Sequence, residues 1–177
     1  MKPPPEAIAA LLDGSHADPF ALLGPHEGPA GTFARAILHG AEEAKAFSLK
    51  GGRLGTMTRV DGPLFEGKLR GKPKPIRYRC RGAGSEWWVT DPYSFGPVLG
   101  PMDDFLIAEG THFRLFDKLG AHVFHHEGAD GVHFSVWAPN ARSVTLVGDF
   151  NGWNGAAHMM RRRVDIGVWE IFIPDIG

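Results

Sequence analysis

The stretch HFSVWAPNARSVTLVGDFNGWN, His133 to Asn154, decides the fold. Apolar and polar residues alternate through HFSVW and again through SVTLV, the period of two that strands with distinct faces require. Pro139-Asn140 ends the first run as a turn, and Asn151-Gly152 closes the second, leaving Trp153 at the tip of a short loop. Short strands divided by turns predict an all-β body. A flat indole on such a loop is a surface onto which a sugar ring can stack.

Working outward, 24 glycines and 14 prolines are scattered through 177 residues, between short apolar runs that often alternate. That pattern predicts β-sandwiches, and the length suits two small domains of roughly 80 to 100 residues each. Pro5 to Leu12 (PEAIAALL) reads as a short helix with Pro in its first turn and Gly14 after its end. The segment DPFALLGPH, Asp18 to His26, is an apolar stretch bounded by turns, with Phe20, Leu22 and Leu23 expected inside. From Thr32 the chain repeats itself. An offset of 100 pairs Ala36 with Val136, Ile37 with Trp137 and Phe47 with Val147; an offset of 104 pairs Phe65 with Trp169 and Glu66 with Glu170. Two anchors in the same order favour duplication. Ile76 to Cys80 and Glu86 to Phe95 read as a closing hairpin of the first copy. The offset of 104 maps Gly177 onto Pro73, so the second copy is expected to lack that hairpin and to be a fragment, poorly stable alone. Met102 to His122 joins the copies, and Phe105, Leu106, Phe113, Leu115 and Phe116 are expected to wedge between them.

Composition excludes several classes. With 19 basic and 20 acidic residues interspersed, there is no footprint for nucleic acid or an anionic membrane surface. Cys80 is the only cysteine, so no internal disulfide can form and a cytoplasmic location is expected. The start, MKPPPEAIAALLDG, is too brief for a signal peptide or a membrane span. His122, His125, His126 and His133 have irregular spacing and no carboxylate scaffold. They read as surface histidines, so neither a metal nor a cofactor is expected. Arg161 to Arg163 reads as a solvated basic face on a hairpin, with stacking on sugars or pairing across a domain interface as the alternatives. Asp103-Asp104 and Glu42-Glu43 lack the enclosed setting that paired catalytic carboxylates need, so no catalytic residue is expected.

DPFALLGPH, DPYSFGPVLGPMDDFLIAEGTH, LGAH and FSVWAPNARSVTLVGDFNGWN together resemble the amino-terminal region of bacterial 1,4-α-glucan (glycogen) branching enzymes. WAPNA and FNGW alone are shared more widely, by carbohydrate-binding modules of family 48. The upstream DPFALLGPH module and the EGTH to LGAH connector select the branching enzymes. The resemblance implies two immunoglobulin-like β-sandwiches ahead of an α-amylase-type barrel. That barrel moves an α-1,4-glucan segment to a 6-hydroxyl by the retaining route. Without the barrel, this segment is expected to be inactive.

The resemblance also assigns candidates. Trp153 matches a glucose-stacking tryptophan, and Asn151 and Asn154 flank it with amides able to reach sugar hydroxyls; the competing reading has Trp153 plugging the sandwich or packing on the barrel. A second stacking tryptophan of such modules precedes an Asp-Pro, and Trp88, ahead of Asp91-Pro92, is the better match of the Trp87-Trp88 pair, with plain packing as the alternative. Trp137 shares a face with His133 and Ser135, opposite the apolar Val132, Phe134 and Val136, which makes it a domain-interface candidate toward the barrel; Phe113 and Phe116 are domain-interface candidates through the wedge. Trp169 is expected in the core. The expected layout is a β-sandwich over residues 1–108, a structured connector over 109–128 and the family 48 module over 129–177. The expected partners are α-glucan, as glycogen or maltooligosaccharide, and the barrel of the same polypeptide. The rival readings are a stand-alone glycogen-binding or regulatory module and the front of a debranching enzyme.

Overall fold

A computed structural model describes residues 3–72 and 75–177 of the chain. It divides into two compact units, one of residues 1–12 and 20–95, the other of residues 13–19 and 96–177. Residues 96–108, expected with the first module, group with the second.

In the first unit, helix α1 (Pro5–Asp13) buries Ile8 and Leu11. Seven strands follow: β1 (Gly24–Gly28), β2 (Gly31–Ile37), β3 (Glu43–Ser48), β4 (Arg53–Asp61), β5 (Leu64–Lys68), β6 (Ile76–Gly82) and β7 (Ser85–Thr90), ordered β1-β2-β5-β4-β3-β6-β7. The long β4 runs through both layers. Its first half pairs with β3 (Ala44 opposite Met57), and its second half pairs with β5 (Thr58 opposite Glu66). The two layers enclose Ala34 and Ala36 of β2, Ala44 and Ala46 of β3, Met57 of β4, Phe65 of β5 and Ile76, Tyr78 and Cys80 of β6. Strand β6 shows why: IRYRC alternates, so Ile76, Tyr78 and Cys80 are fully buried while Arg77 and Arg79 point outward. Asp91, buried beyond β7, accepts from the Tyr78 hydroxyl and the Tyr93 amide, and burial pushes its carboxyl up to about 7.

The second unit has strands β8 (Gly120–His126), β9 (Ala129–Trp137), β10 (Arg161–Arg163) and β11 (Val168–Pro174) in the order β10-β11-β9-β8. This repeats β4-β5-β2-β1 of the first unit, and the register agrees. Arg35 faces Glu66 and Ala36 faces Phe65 in one sheet; Ser135 faces Glu170 and Val136 faces Trp169 in the other. Even a cross-strand pair recurs, since Arg59 lies over the Phe65 ring and Arg162 over the Trp169 ring. The duplication expected from the two offsets is therefore visible as strand pairing. The all-β class and the short amino-terminal helix are as expected.

Several expectations fail here. The second run of the opening stretch, SVTLV, makes no full strand; it is held by one bridge, Thr145 to Met159, and by the bonds Met160 N to Val144 O and Leu146 N to His158 O, both 2.8 Å. Val132 is buried but Val136 is half-exposed, and the polar His133 and Ser135 on the other face are buried as well, which alternation alone does not predict. The cause is the segment from residue 96 to 119, which includes helix α2 (Pro101–Ala108) and covers the polar face of β9 and β11: Leu99, Ile107 and Leu119 pack on Ile166 and Val168. Beneath that cover Glu170 accepts from the amides of Val98 (3.0 Å) and Leu99 (3.1 Å), from His133 (3.1 Å) and from Arg163 (2.7 Å). Arg163 also pairs with Asp104, and the Ser135 hydroxyl donates to Lys118 O. So Arg163 is a partly buried clamp and not part of a solvated face, and His133 is a buried donor and not a surface histidine. His122, His125 and His126 also have partners, in Leu119 O, Asp130 and Gly96 O.

Phe113 is 91% exposed and Phe116 70%, and Phe105 also lies on the surface. The apolar cover of the sheet comes from Leu99, Ile107 and Leu119 instead. Trp169 is fully buried, its Nε1 donating to Ala138 O at 3.0 Å. Gly14 has φ of +79°, and a Cβ there would sit 3.2 Å from the backbone nitrogen of Ala156, so only glycine fits this turn without displacing the chain beside it.

Candidate functional site

The loop carrying Trp153 is built from backbone that only certain residues allow. Gly148 is fully extended, and a Cβ on it would collide with the Phe150 ring at 2.6 Å. A single turn over Asp149–Asn151 follows, and then Gly152 (φ +60°) and Trp153 (φ +61°) both take the left-handed conformation. For a bulky residue this conformation is strained by about 1 to 3 kcal/mol, so the surroundings must hold it. They do: Gly152 N donates to Asp149 O (3.2 Å) and Trp153 N to Gly148 O (3.0 Å). The Asn151 side chain then fixes the whole turn. Its Oδ1 accepts from Gly148 N (3.0 Å), and its Nδ2 donates to Leu146 O (2.9 Å) and to His158 Nδ1 (3.0 Å). Asn154 Oδ1 caps the next turn by accepting from Ala156 N.

Trp153 is 67% exposed, and its ring nitrogen donates to Asp149 Oδ1 at 3.0 Å. With the polar edge satisfied inside the loop and the backbone fixed, the indole is an aromatic surface held ready for a flat, weakly polar partner. Through these bonds Asn151 and Asn154 hold the loop that presents Trp153. Two residues that the sequence reading passed over complete the site. Asp149, inside the opening stretch, has its signal in its position four residues ahead of Trp153. His158 has no local signal at all. Burial pulls it down from 6.5 to about 4, so at neutral pH it is uncharged and its Nδ1 can accept from Asn151.

Trp88 lies in the first unit and is 44% exposed. The Arg77 guanidinium sits 4.5 Å from its ring centroid, and the edge of Phe47 meets it at 5.1 Å. Trp87 points inward against the core, as strand alternation requires. Trp137, 62% exposed, sits at the end of β9 opposite Val168. Phe113 and Phe116 stand free on the surface, with Arg114 over the Phe116 ring. The Asp103-Asp104 pair is structural: Asp103 accepts from Gly100 N and is bonded to His112 and Lys118, while Asp104 pairs with Arg163. No helix among the described residues is long and apolar enough to cross a membrane.

Comparison with known proteins places these features in context. Residues 4–93 match the family model described as alpha-1,4-glucan branching enzyme GlgB, N-terminal domain, and residues 118–177 match carbohydrate-binding module 48 (isoamylase N-terminal domain). The chain is similar to the 1,4-alpha-glucan branching enzyme GlgB of Novosphingobium aromaticivorans, with 72% identity over all of this chain and 25% of that protein. It is also similar to the enzymes of the same name from Mesorhizobium japonicum (59% identity, 98% of this chain, 24% of that one) and Rhizobium meliloti (57%, 99% and 24%). The chain spans about a quarter of the length of the curated relatives it matches.

Proposed function

The chain belongs to the family of the alpha-1,4-glucan branching enzyme GlgB N-terminal domain, and on that premise we propose that it holds α-glucan for a catalytic barrel of the same polypeptide. In this reading the parent enzyme works in the cytoplasm and transfers an α-1,4-glucan segment to a 6-hydroxyl. The chain itself positions glycogen or maltooligosaccharide and performs no chemistry. Trp153 carries the reading: an indole two-thirds exposed, held in a left-handed conformation with its ring nitrogen already bonded, has a face suited to a pyranose and no evident part in packing its own unit. Its stacking strength is that of an aromatic burying a sugar face, about 1 kcal/mol beyond area alone. Trp137, Phe113 and Phe116 serve as the contact surface for the barrel.

Titrating the chain with maltoheptaose while following tryptophan fluorescence tests the proposal. The wild-type signal is expected to shift and saturate, and Trp153→Ala is expected to lose most of the response while keeping its urea midpoint. A flat wild-type titration removes the binding role.

A further inference from the structure

The outer face of the first sandwich has a chemistry that neutral-glucan stacking does not use. Residues 20–95 carry 12 Lys and Arg against 7 Asp and Glu, a net of +5 within a chain whose total is -1. The strand pattern gathers much of this excess on one face. Arg77 and Arg79 project outward from β6; Arg79 is opposite Trp88, and Arg77 is opposite Phe47. Phe47 is in turn opposite Arg53 on β4, so an aromatic and arginine strip crosses four strands. It leads into an open cleft of about 500 Å³ lined by Arg53, Thr56, Lys68 and Arg70, with no carboxylate in its wall. Among the described residues, no carboxylate lies within ion-pair distance of Arg53, Lys68, Arg70 or Arg77; Glu86 neutralises only the far end, near Arg79 and Arg81. The Nε of Arg77 is buried without a hydrogen-bond partner while its guanidinium lies over the Trp88 ring.

We infer that this face binds phosphate monoesters carried on an α-glucan: the cleft of Arg53, Lys68 and Arg70 takes the phosphate, and the strip of Trp88 and Phe47 takes the neighbouring sugar. Guanidinium forks match the phosphate oxygens, and ring faces match pyranoses. Single-stranded nucleic acid presents the same two groups, phosphate and a flat ring. The glucan is favoured because the chain belongs to a glucan-enzyme family and because Arg77 already covers one face of Trp88 and Arg79 one face of Phe47, leaving fewer open ring faces than a base-stacking surface uses. The inference rests on the proposed glucan role for its sugar component alone.

The test is native affinity electrophoresis of the whole chain in gels containing phosphorylated amylopectin, or the same polymer after phosphatase treatment. Wild type is expected to be held about tenfold more tightly by the phosphorylated polymer, the strength of a charge-assisted contact. Arg53→Gln/Arg70→Gln is expected to erase that difference while leaving the residual retention on the dephosphorylated gel. Lys68→Gln, which alters one exposed side chain, is expected to reduce it, and equal urea midpoints show that the variants are folded. Equal retention of wild type on both polymers overturns the inference, as does a difference that survives in the double variant. Competition by oligouridylate or dextran sulfate as effective as that by phosphorylated glucan also overturns it, by marking a general polyanion surface. Competition by free glucose 6-phosphate, equal per phosphate to the polymer, overturns the polymer assignment. The two readings fail separately. If wild type ignores dephosphorylated glucan but is held by the phosphorylated one, the Trp153 reading falls and this one stands; loss of the phosphate increment alone, with Trp153→Ala still abolishing neutral binding, does the reverse.

Discussion

At the scale of single residues, Asp149 and His158 decide how well Trp153 is presented. Asp149→Ala removes the acceptor of the indole N–H, a bond exposed to solvent and therefore worth about 1 kcal/mol. Maltoheptaose affinity is expected to fall several-fold with the urea midpoint nearly unchanged, as isothermal calorimetry and denaturation will show. His158 acts through protonation. Its folded-state pKa of about 4 lies below the ordinary 6.5, so the unfolded chain takes up the proton first and stability declines as pH falls from about 6.5 to about 4. Protonation within the folded loop then removes the Nδ1 acceptor from Asn151. The His158 ring proton is expected to titrate near pH 4 by NMR, and a midpoint near 6.5 would refute its burial in the loop. Trp153 could be picked out from the Asn-Gly turn before it. The duties of Asn151 and His158 could not, because they depend on how residues 146 to 158 fold back over one another.

At the scale of elements, Glu170 at the centre of β11 ties residues 98 to 104 to the sheet through His133, Arg163 and two backbone amides. Burial pushes its carboxyl up, but the bonds from His133, Leu99 and Arg163 outweigh that and hold it at about 2. A folded pKa below the ordinary 4.5 contributes stability that is complete above 4.5 and is lost as pH falls toward 2. Glu170→Ala leaves His133 and the amides of Val98 and Leu99 without their acceptor and Arg163 with Asp104 as its remaining carboxylate, and is expected to cost about 3 to 5 kcal/mol in urea unfolding, with loss of the acid transition. Trp169→Ala, by cavity formation, is expected to cost a similar ~3 to 5 kcal/mol. The repeat was legible because sheet register preserves spacing: Glu66 and Glu170 face the equivalent residues Arg35 and Ser135. Which face of β9 is buried was not legible. Alternation says only that two faces differ, and here the face with His133 and Ser135 is buried because residues 96 to 119, earlier in the chain, cover it.

At the scale of the whole molecule, Phe113, Phe116 and Trp137 are large apolar side chains left in water. Phe113→Ser is expected to change the stability of this chain by less than about 0.5 kcal/mol. In an enzyme that also carries the barrel, acrylamide quenching of Trp137 is expected to fall sharply; unchanged quenching would remove it from the contact surface. The glycine at position 14 has a practical bearing on protein engineering. Because it lies against the backbone of Ala156, three residues beyond Trp153, deleting residues 1–19 would strip away a neighbour of the loop that presents Trp153. Deletions from that end also remove Ile8 and Leu11 from the interior, so they are expected to lower the urea midpoint as they approach residue 14.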